Sequence, residues 1–95
     1  MTDSVFEVID KSGRKIRLTK KQWSHITSPT SLHTYMTNYL EEVKETLRNP
    51  DRMIESFNDE SKVNYYKYYK NKKQNLKVIA KYLNGEGFVI TSYFI

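Results

Sequence analysis

Val5, Phe6, Val8 and Ile9 make a short β-prone run, and Asp10-Lys11-Ser12-Gly13 follows as a turn in which Gly13 can take positive φ. Ile16 and Leu18 then alternate with Lys15 and Arg17, so the pattern predicts an N-terminal β-hairpin. Thr19 suits the N-cap of a short helix over Lys20–Ile26, and Pro29 marks its end, because a proline disfavours helix at the residue before it. Next, Leu32, Tyr35, Met36, Tyr39, Leu40, Val43 and Leu47 recur at spacings of three and four. Glu41, Glu42, Lys44, Glu45 and Arg48 fall mainly on the other side. This spacing predicts one long amphipathic helix, capped by Thr30 or Ser31 and stopped by Asn49-Pro50-Asp51.

After Pro50 the period changes from helical to alternating. Met53–Phe57 is a short strand, and Asn58-Asp59-Glu60-Ser61 a turn. Along 63–69, Val63, Tyr65, Lys67 and Tyr69 share one face and Asn64, Tyr66 and Tyr68 the other. A polar loop over 71–75 leads into a strand in which Leu76, Val78, Ala80 and Tyr82 alternate with Lys77, Ile79, Lys81 and Leu83. Asn84-Gly85-Glu86-Gly87 reads as a hairpin turn with a strong Asn-Gly signal, and 88–95 as the last strand. The expected fold is α+β, a single domain over residues 1–95. In it an N-terminal β-hairpin, a short helix and one long helix pack on a C-terminal four-stranded antiparallel sheet.

Composition narrows the chemistry. There is no cysteine, which excludes disulfides, a thiol nucleophile and a thiolate zinc site. Two histidines eight residues apart match no zinc spacing, and the three glycines form no phosphate loop, so neither metal nor cofactor is expected. No apolar run is long enough to span a membrane. The opening Met1-Thr2-Asp3-Ser4-Val5 lacks a basic head and an apolar signal core, so the expected location is cytoplasmic. The net charge of +5 is unevenly spread. Residues 1–30 carry +3, residues 31–60 carry −4 and residues 61–95 carry +6, which makes the two ends the expected contact surface for a polyanion.

The last basic block is also the most aromatic. From Lys62 to Lys81 there are seven lysines and no acidic residue, around Tyr65-Tyr66-Lys67-Tyr68-Tyr69. Lysines attract phosphate and aromatic rings stack on unpaired bases, so this stretch fits single-stranded nucleic acid. It also fits a lysine-rich hairpin kept soluble by its charges. The candidate nucleic-acid-binding residues are Tyr66, Tyr68, Arg48, Lys70, Lys72 and Lys73.

One order of motifs runs through nearly the whole chain. It comprises Leu18-Thr19, Trp23-Ser24-His25-Ile26, a helix ending Leu47-Arg48-Asn49-Pro50-Asp51, Tyr65-Tyr66-Lys67, Leu76-Lys77-Val78-Ile79 and Val89-Ile90-Thr91-Ser92-Tyr93. This order resembles the phage-associated branch of the Barnase–EndoU–colicin–RelE-like ribonuclease superfamily. The resemblance implies one or two helices ahead of a four-stranded antiparallel sheet and RNA cleavage without a metal, often by toxins held in check by an antitoxin or immunity protein. It also implies a catalytic His from the first helical region, here His25, and a Ser or Thr from the last strand, here Thr91 or Ser92. A basic residue from the central strands would be Lys67 or Lys81. Relatives of that kind often carry a second basic or His position soon after the first. Here the next ones are His33 and Arg48.

Each candidate has a plain structural alternative. His25 can cap or pack the short helix, His33 can sit on the surface of the long one, and Trp23 fits a core wedge. Lys67 and Lys81 can be solvated lysines. Thr91 and Ser92 point to opposite faces of one strand, so only one can face a site. The reading is therefore a metal-independent ribonuclease acting on RNA. Two alternatives stand beside it: a non-catalytic nucleic-acid-binding module, and a protein-interaction module docking through the acidic helix or an edge strand.

Overall fold

The structure is a computed structural model that describes residues 3–95; the first two residues of the stretch read for a leader lie outside them. It is α+β. In chain order the elements are β1 (Ser4–Ile9), β2 (Lys15–Thr19), α1 (Lys20–Ile26), a 3-10 helix (Thr34–Asn38), α2 (Leu40–Arg48), β3 (Arg52–Ser56), β4 (Asp59–Tyr69), β5 (Gln74–Leu83) and β6 (Glu86–Phe94). The strands form one six-stranded sheet in the order β1-β2-β6-β5-β4-β3.

The expected four-stranded meander is present as β3 to β6, but the sheet is larger and mixed, because β2 joins β6 in parallel through Ile16–Gly87 and Arg17–Phe88. Gly87 makes this seam possible. A Cβ there would lie 2.6 Å from the Tyr82 ring and 3.1 Å from the Ile16 side chain, so only glycine lets β2 approach. The reading of Gly87 as a turn residue is corrected accordingly. The turn itself is Asn84-Gly85, both at positive φ (53° and 83°), as a tight two-residue hairpin requires.

The N-terminal hairpin forms as expected, and its turn is anchored from below. Asp10 is buried, with 4% of its surface exposed. Its carboxylate accepts hydrogen bonds from the Ser12 and Arg14 backbone N–H groups and from the hydroxyls of Ser12, Tyr65 and Tyr82. Burial alone would raise the pKa of Asp10, but the bonds from Tyr65, Ser12, Arg14 and Tyr82 outweigh it and hold the carboxyl below its ordinary value. This cluster ties the β1–β2 turn to β4 and β5.

Thr19 caps α1 as expected, its hydroxyl accepting from the Gln22 N–H at 3.1 Å. The single long helix is corrected. Serine and threonine side chains compete for backbone groups over 28–37: the Thr34 hydroxyl donates to the carbonyls of Ser28 and Ser31, and the Thr37 hydroxyl donates to that of Thr34. The segment forms a 3-10 turn instead, and a regular helix begins only after Tyr39, whose φ of −123° is not helical. Leu32, expected on the apolar face, is 90% exposed. Val43, Thr46 and Leu47 of α2, with Met36 and Ile26, cover the sheet residues Ile16, Leu18, Val63, Tyr65, Leu76, Val78, Ala80 and Val89. Trp23 packs against this core, as expected. No helix among the described residues is long and apolar enough to cross a membrane.

Candidate nucleic-acid interface

The core claims Val63 and Tyr65 on β4 and Leu76, Val78 and Ala80 on β5, so the alternate residues of those strands form the opposite, open face. Register then brings one line of side chains together across four strands. Arg52 lies opposite Tyr66, Tyr66 opposite Lys77, and Lys77 opposite Tyr93. The Arg52 guanidinium carbon sits 4.9 Å from the Tyr66 ring centre. The Lys77 ammonium is 5.7 Å from both the Tyr66 and the Tyr93 ring centres. His33 closes the line by stacking on Tyr93, with centroids 4.7 Å apart and planes at 12°. Cation and aromatic ring alternate along the row, and an imidazole stands at its end.

A bulge in β6 makes this line possible. Ala80 pairs with Val89 but Ile79 with Thr91, so β6 carries one extra residue between those pairs. Beyond the bulge, Tyr93 lies across from Lys77 on the open face, while Ser92 lies across from Val78 in the core. The 3-10 segment closes the outer edge of β6 there: the Phe94 N–H donates to the Tyr35 hydroxyl at 3.0 Å, and the Tyr35 ring meets His33 edge-on.

The electrostatics favour an anion at this end of the face. Arg17 is neutralised by Glu7 and Glu86, and Lys81 is paired with Asp59. Among the described residues, Arg52 and Lys77 have no carboxylate partner. Partial burial pulls the Lys77 ammonium down, but the hydroxyls of Tyr93 and Tyr66 outweigh it, and its pKa lies above the ordinary lysine value. Neither ring nitrogen of His33 is hydrogen-bonded among the described residues. No three His, Cys, Asp or Glu side chains gather there as a metal would need.

The residues singled out from the sequence are dispersed. His25 is exposed on α1, and its imidazole makes no hydrogen bond, ion pair or ring contact among the described residues. Lys67 is on the helix-side face, where its ammonium donates to the Asn49 carbonyl just after α2. Lys81 is on the open face, two steps along β5 from Lys77, roughly 13 Å away at strand rise. Lys67 and Lys81 thus lie on opposite faces and cannot share one site. Ser92 is fully buried and its hydroxyl has no hydrogen-bond partner among the described residues, so the geometry removes it from any surface site. Thr91 is on the open face, opposite Ile79 and one step from Tyr93.

Of the expected binding residues, Tyr66 belongs to the row, and Tyr68, 49% exposed, extends it along β4. Lys70 and Lys73 are exposed in the β4–β5 loop, and the Lys72 ammonium lies 5.2 Å from the Tyr39 ring centre. Arg48 sits beside Glu41, Glu42 and Glu45 on the acidic helix, away from the row. The sequence reading missed Arg52, Lys77, Tyr93 and the placement of His33. Strand alternation alone put Lys77 on the open face; the bulge hid its partner.

Two of the motifs touch directly. The Asp51 N–H donates to the Tyr66 carbonyl and the Asp51 carboxylate accepts from the Tyr68 N–H, while Lys67 binds the Asn49 carbonyl. Asn49-Pro50-Asp51 and Tyr65-Tyr66-Lys67 are therefore two halves of one joint that sets the start of β3 and hence Arg52. No family model matches the chain, and no curated protein or solved structure matches it either.

Proposed function

We propose that the open face binds single-stranded RNA along Arg52–Tyr66–Lys77–Tyr93 and cleaves it without a metal, as a member of the ribonuclease superfamily its motif order resembles. The single observation that carries this reading is the stack of His33 on Tyr93 beside the unpaired Lys77. An imidazole whose ring nitrogens are not hydrogen-bonded among the described residues can take the proton of the RNA 2′-hydroxyl. The ammonium of Lys77, kept charged by Tyr66 and Tyr93, stabilises the crowded phosphate. The 2′-oxygen bonds to phosphorus, the bond to the 5′-oxygen breaks, and the departing oxygen takes a proton from solvent at this open surface. The products are a 2′,3′-cyclic phosphate and a 5′-hydroxyl. Bases stack on Tyr66 and Tyr68. As a toxin-like module, such a protein would be restrained by an inhibitory partner.

RNA incubated with the protein in EDTA is expected to yield cyclic-phosphate ends, and Lys77→Ala to remove them while leaving a folded protein. Undiminished cleavage by Lys77→Ala would overturn the assignment. A second reading, RNA binding without cleavage, is favoured by the presence of only one imidazole in the row. It expects affinity that falls steeply with salt and intact RNA throughout.

A further inference from the structure

A small cavity lies around the edge of β6 from the row. It has a volume of about 200 Å³ and is lined by Tyr35, Lys72, Gln74 and Phe94. Successive strand residues point to opposite faces, so Phe94 faces this cavity while its neighbour Tyr93 belongs to the row. The Tyr35 and Phe94 rings, centroids 6.2 Å apart and tilted by 31°, form an open aromatic wall. Lys72 is held over the Phe94 ring with its ammonium 5.3 Å from the ring centre. The Lys72 ammonium, which also lies 5.2 Å from the Tyr39 ring centre, and the Gln74 amide each lack a hydrogen bond and an ion pair among the described residues. The space is too small for a drug-sized ligand, but it offers what one nucleobase uses: an aromatic surface, a cationic donor and an amide that both donates and accepts.

From this geometry we infer that the cavity is a base-binding subsite for a purine of the RNA strand held on the open face, an inference that rests on the reading above. His33 and Tyr35 connect the two places, since His33 stacks on Tyr93 and meets Tyr35 edge-on at 6.2 Å. A strand crossing the row can pass over the 3-10 segment that covers this edge and lodge a base further along against Tyr35 and Phe94. A purine is favoured over a pyrimidine because its larger ring system covers more of the wall and its N7 accepts from Lys72, while Gln74 adapts to either purine's remaining edge.

The test is the ratio of two affinities, read by fluorescence anisotropy. One probe is a short labelled oligouridine. The other is the same strand with a single central adenosine or guanosine, and both strands carry 2′-O-methyl groups throughout so that neither can be cut. The wild-type protein is expected to prefer the purine strand by about tenfold, the worth of one stacked base. Lys72→Met and Gln74→Leu are expected to bring that ratio toward one, and taking a ratio cancels any general loss of charge. A wild-type ratio near one, or a ratio unchanged in both variants, would overturn the subsite. Failure of the row is read separately, as oligouridine affinity that Lys77→Ala leaves unchanged. A wild-type protein that binds neither strand would overturn both.

Discussion

The His33 imidazole lies flat on the Tyr93 ring, 4.7 Å between centroids, although the two residues are sixty positions apart and only one of them is in the sheet. The contact places a proton acceptor on the same ring that the Lys77 ammonium approaches at 5.7 Å. If the stack positions the imidazole, Tyr93→Ala is expected to lower RNA cleavage by about a hundredfold, within the range of a positioned general base, while Tyr93→Phe keeps most of it. Comparison of cleavage rates for the two variants, with circular dichroism to establish folding, checks this.

The raised pKa of Lys77 has a sign that can be followed. A lysine whose pKa rises on folding adds stability in full below its ordinary value, 10.5, and loses it as pH climbs through the folded value. Tyr66→Phe and Tyr93→Phe remove the hydroxyls responsible, so each is expected to move the Lys77 pKa down. Titration by NMR with isotope-labelled lysine side chains reads this directly. An unmoved pKa in both variants would separate Lys77 from its neighbours.

Asp10 is expected to matter for folding and not for RNA. Asp10→Asn breaks charge-assisted bonds in a buried cluster and is expected to cost roughly 3 kcal/mol at neutral pH. Because its folded pKa is depressed, the stability from Asp10 is present above 3.8 and is lost as pH falls through the folded value. Denaturant unfolding of wild type and variant is therefore expected to show a gap that narrows in acid. Tyr82, whose hydroxyl is pushed up to about 12 mainly by burial, stays protonated across that range.

Ser92 gives the opposite case. Its hydroxyl is buried without a partner among the described residues, so Ser92→Ala removes an uncompensated polar group and is expected to leave stability within about 1 kcal/mol or raise it. Cleavage is expected to be unchanged. A large loss of cleavage in a folded Ser92→Ala protein would place that hydroxyl in the chemistry.

Lys67 is expected to act through structure as well. Its ammonium satisfies the carbonyl of Asn49 beyond the C-terminus of α2, where a cation also complements the helix dipole. Lys67→Met is expected to destabilise the protein by about 1 kcal/mol in denaturant unfolding, with cleavage per folded molecule retained.

Local signals made much of this fold readable. The Asn84-Gly85 turn, the Thr19 cap and the alternation that buries Tyr65 and exposes Tyr68 are all short-range chemistry. What stayed hidden depended on distant residues. Counted from the Asn84-Gly85 turn without a bulge, Lys77 would face Ser92; the single extra residue in β6 puts Tyr93 there and turns Ser92 into the core. The parallel seam of β2 on β6 rests on the absence of a side chain at Gly87, which looks like any turn glycine in sequence. The apolar spacing from Leu32 to Leu47 suggested one helix, but competing serine and threonine hydroxyls broke it and so carried His33 to the edge of β6. In the proposed function His33 stands as the candidate proton acceptor in place of His25, the histidine of the motif that carried the resemblance.

The most direct test is total RNA incubated in EDTA with wild type, His33→Ala and His25→Ala, each shown to be folded, followed by analysis of product ends. Cyclic-phosphate ends from wild type and His25→Ala but not from His33→Ala are the expected result. Cleavage that survives in His33→Ala and disappears in His25→Ala would contradict the account and return the chemistry to α1.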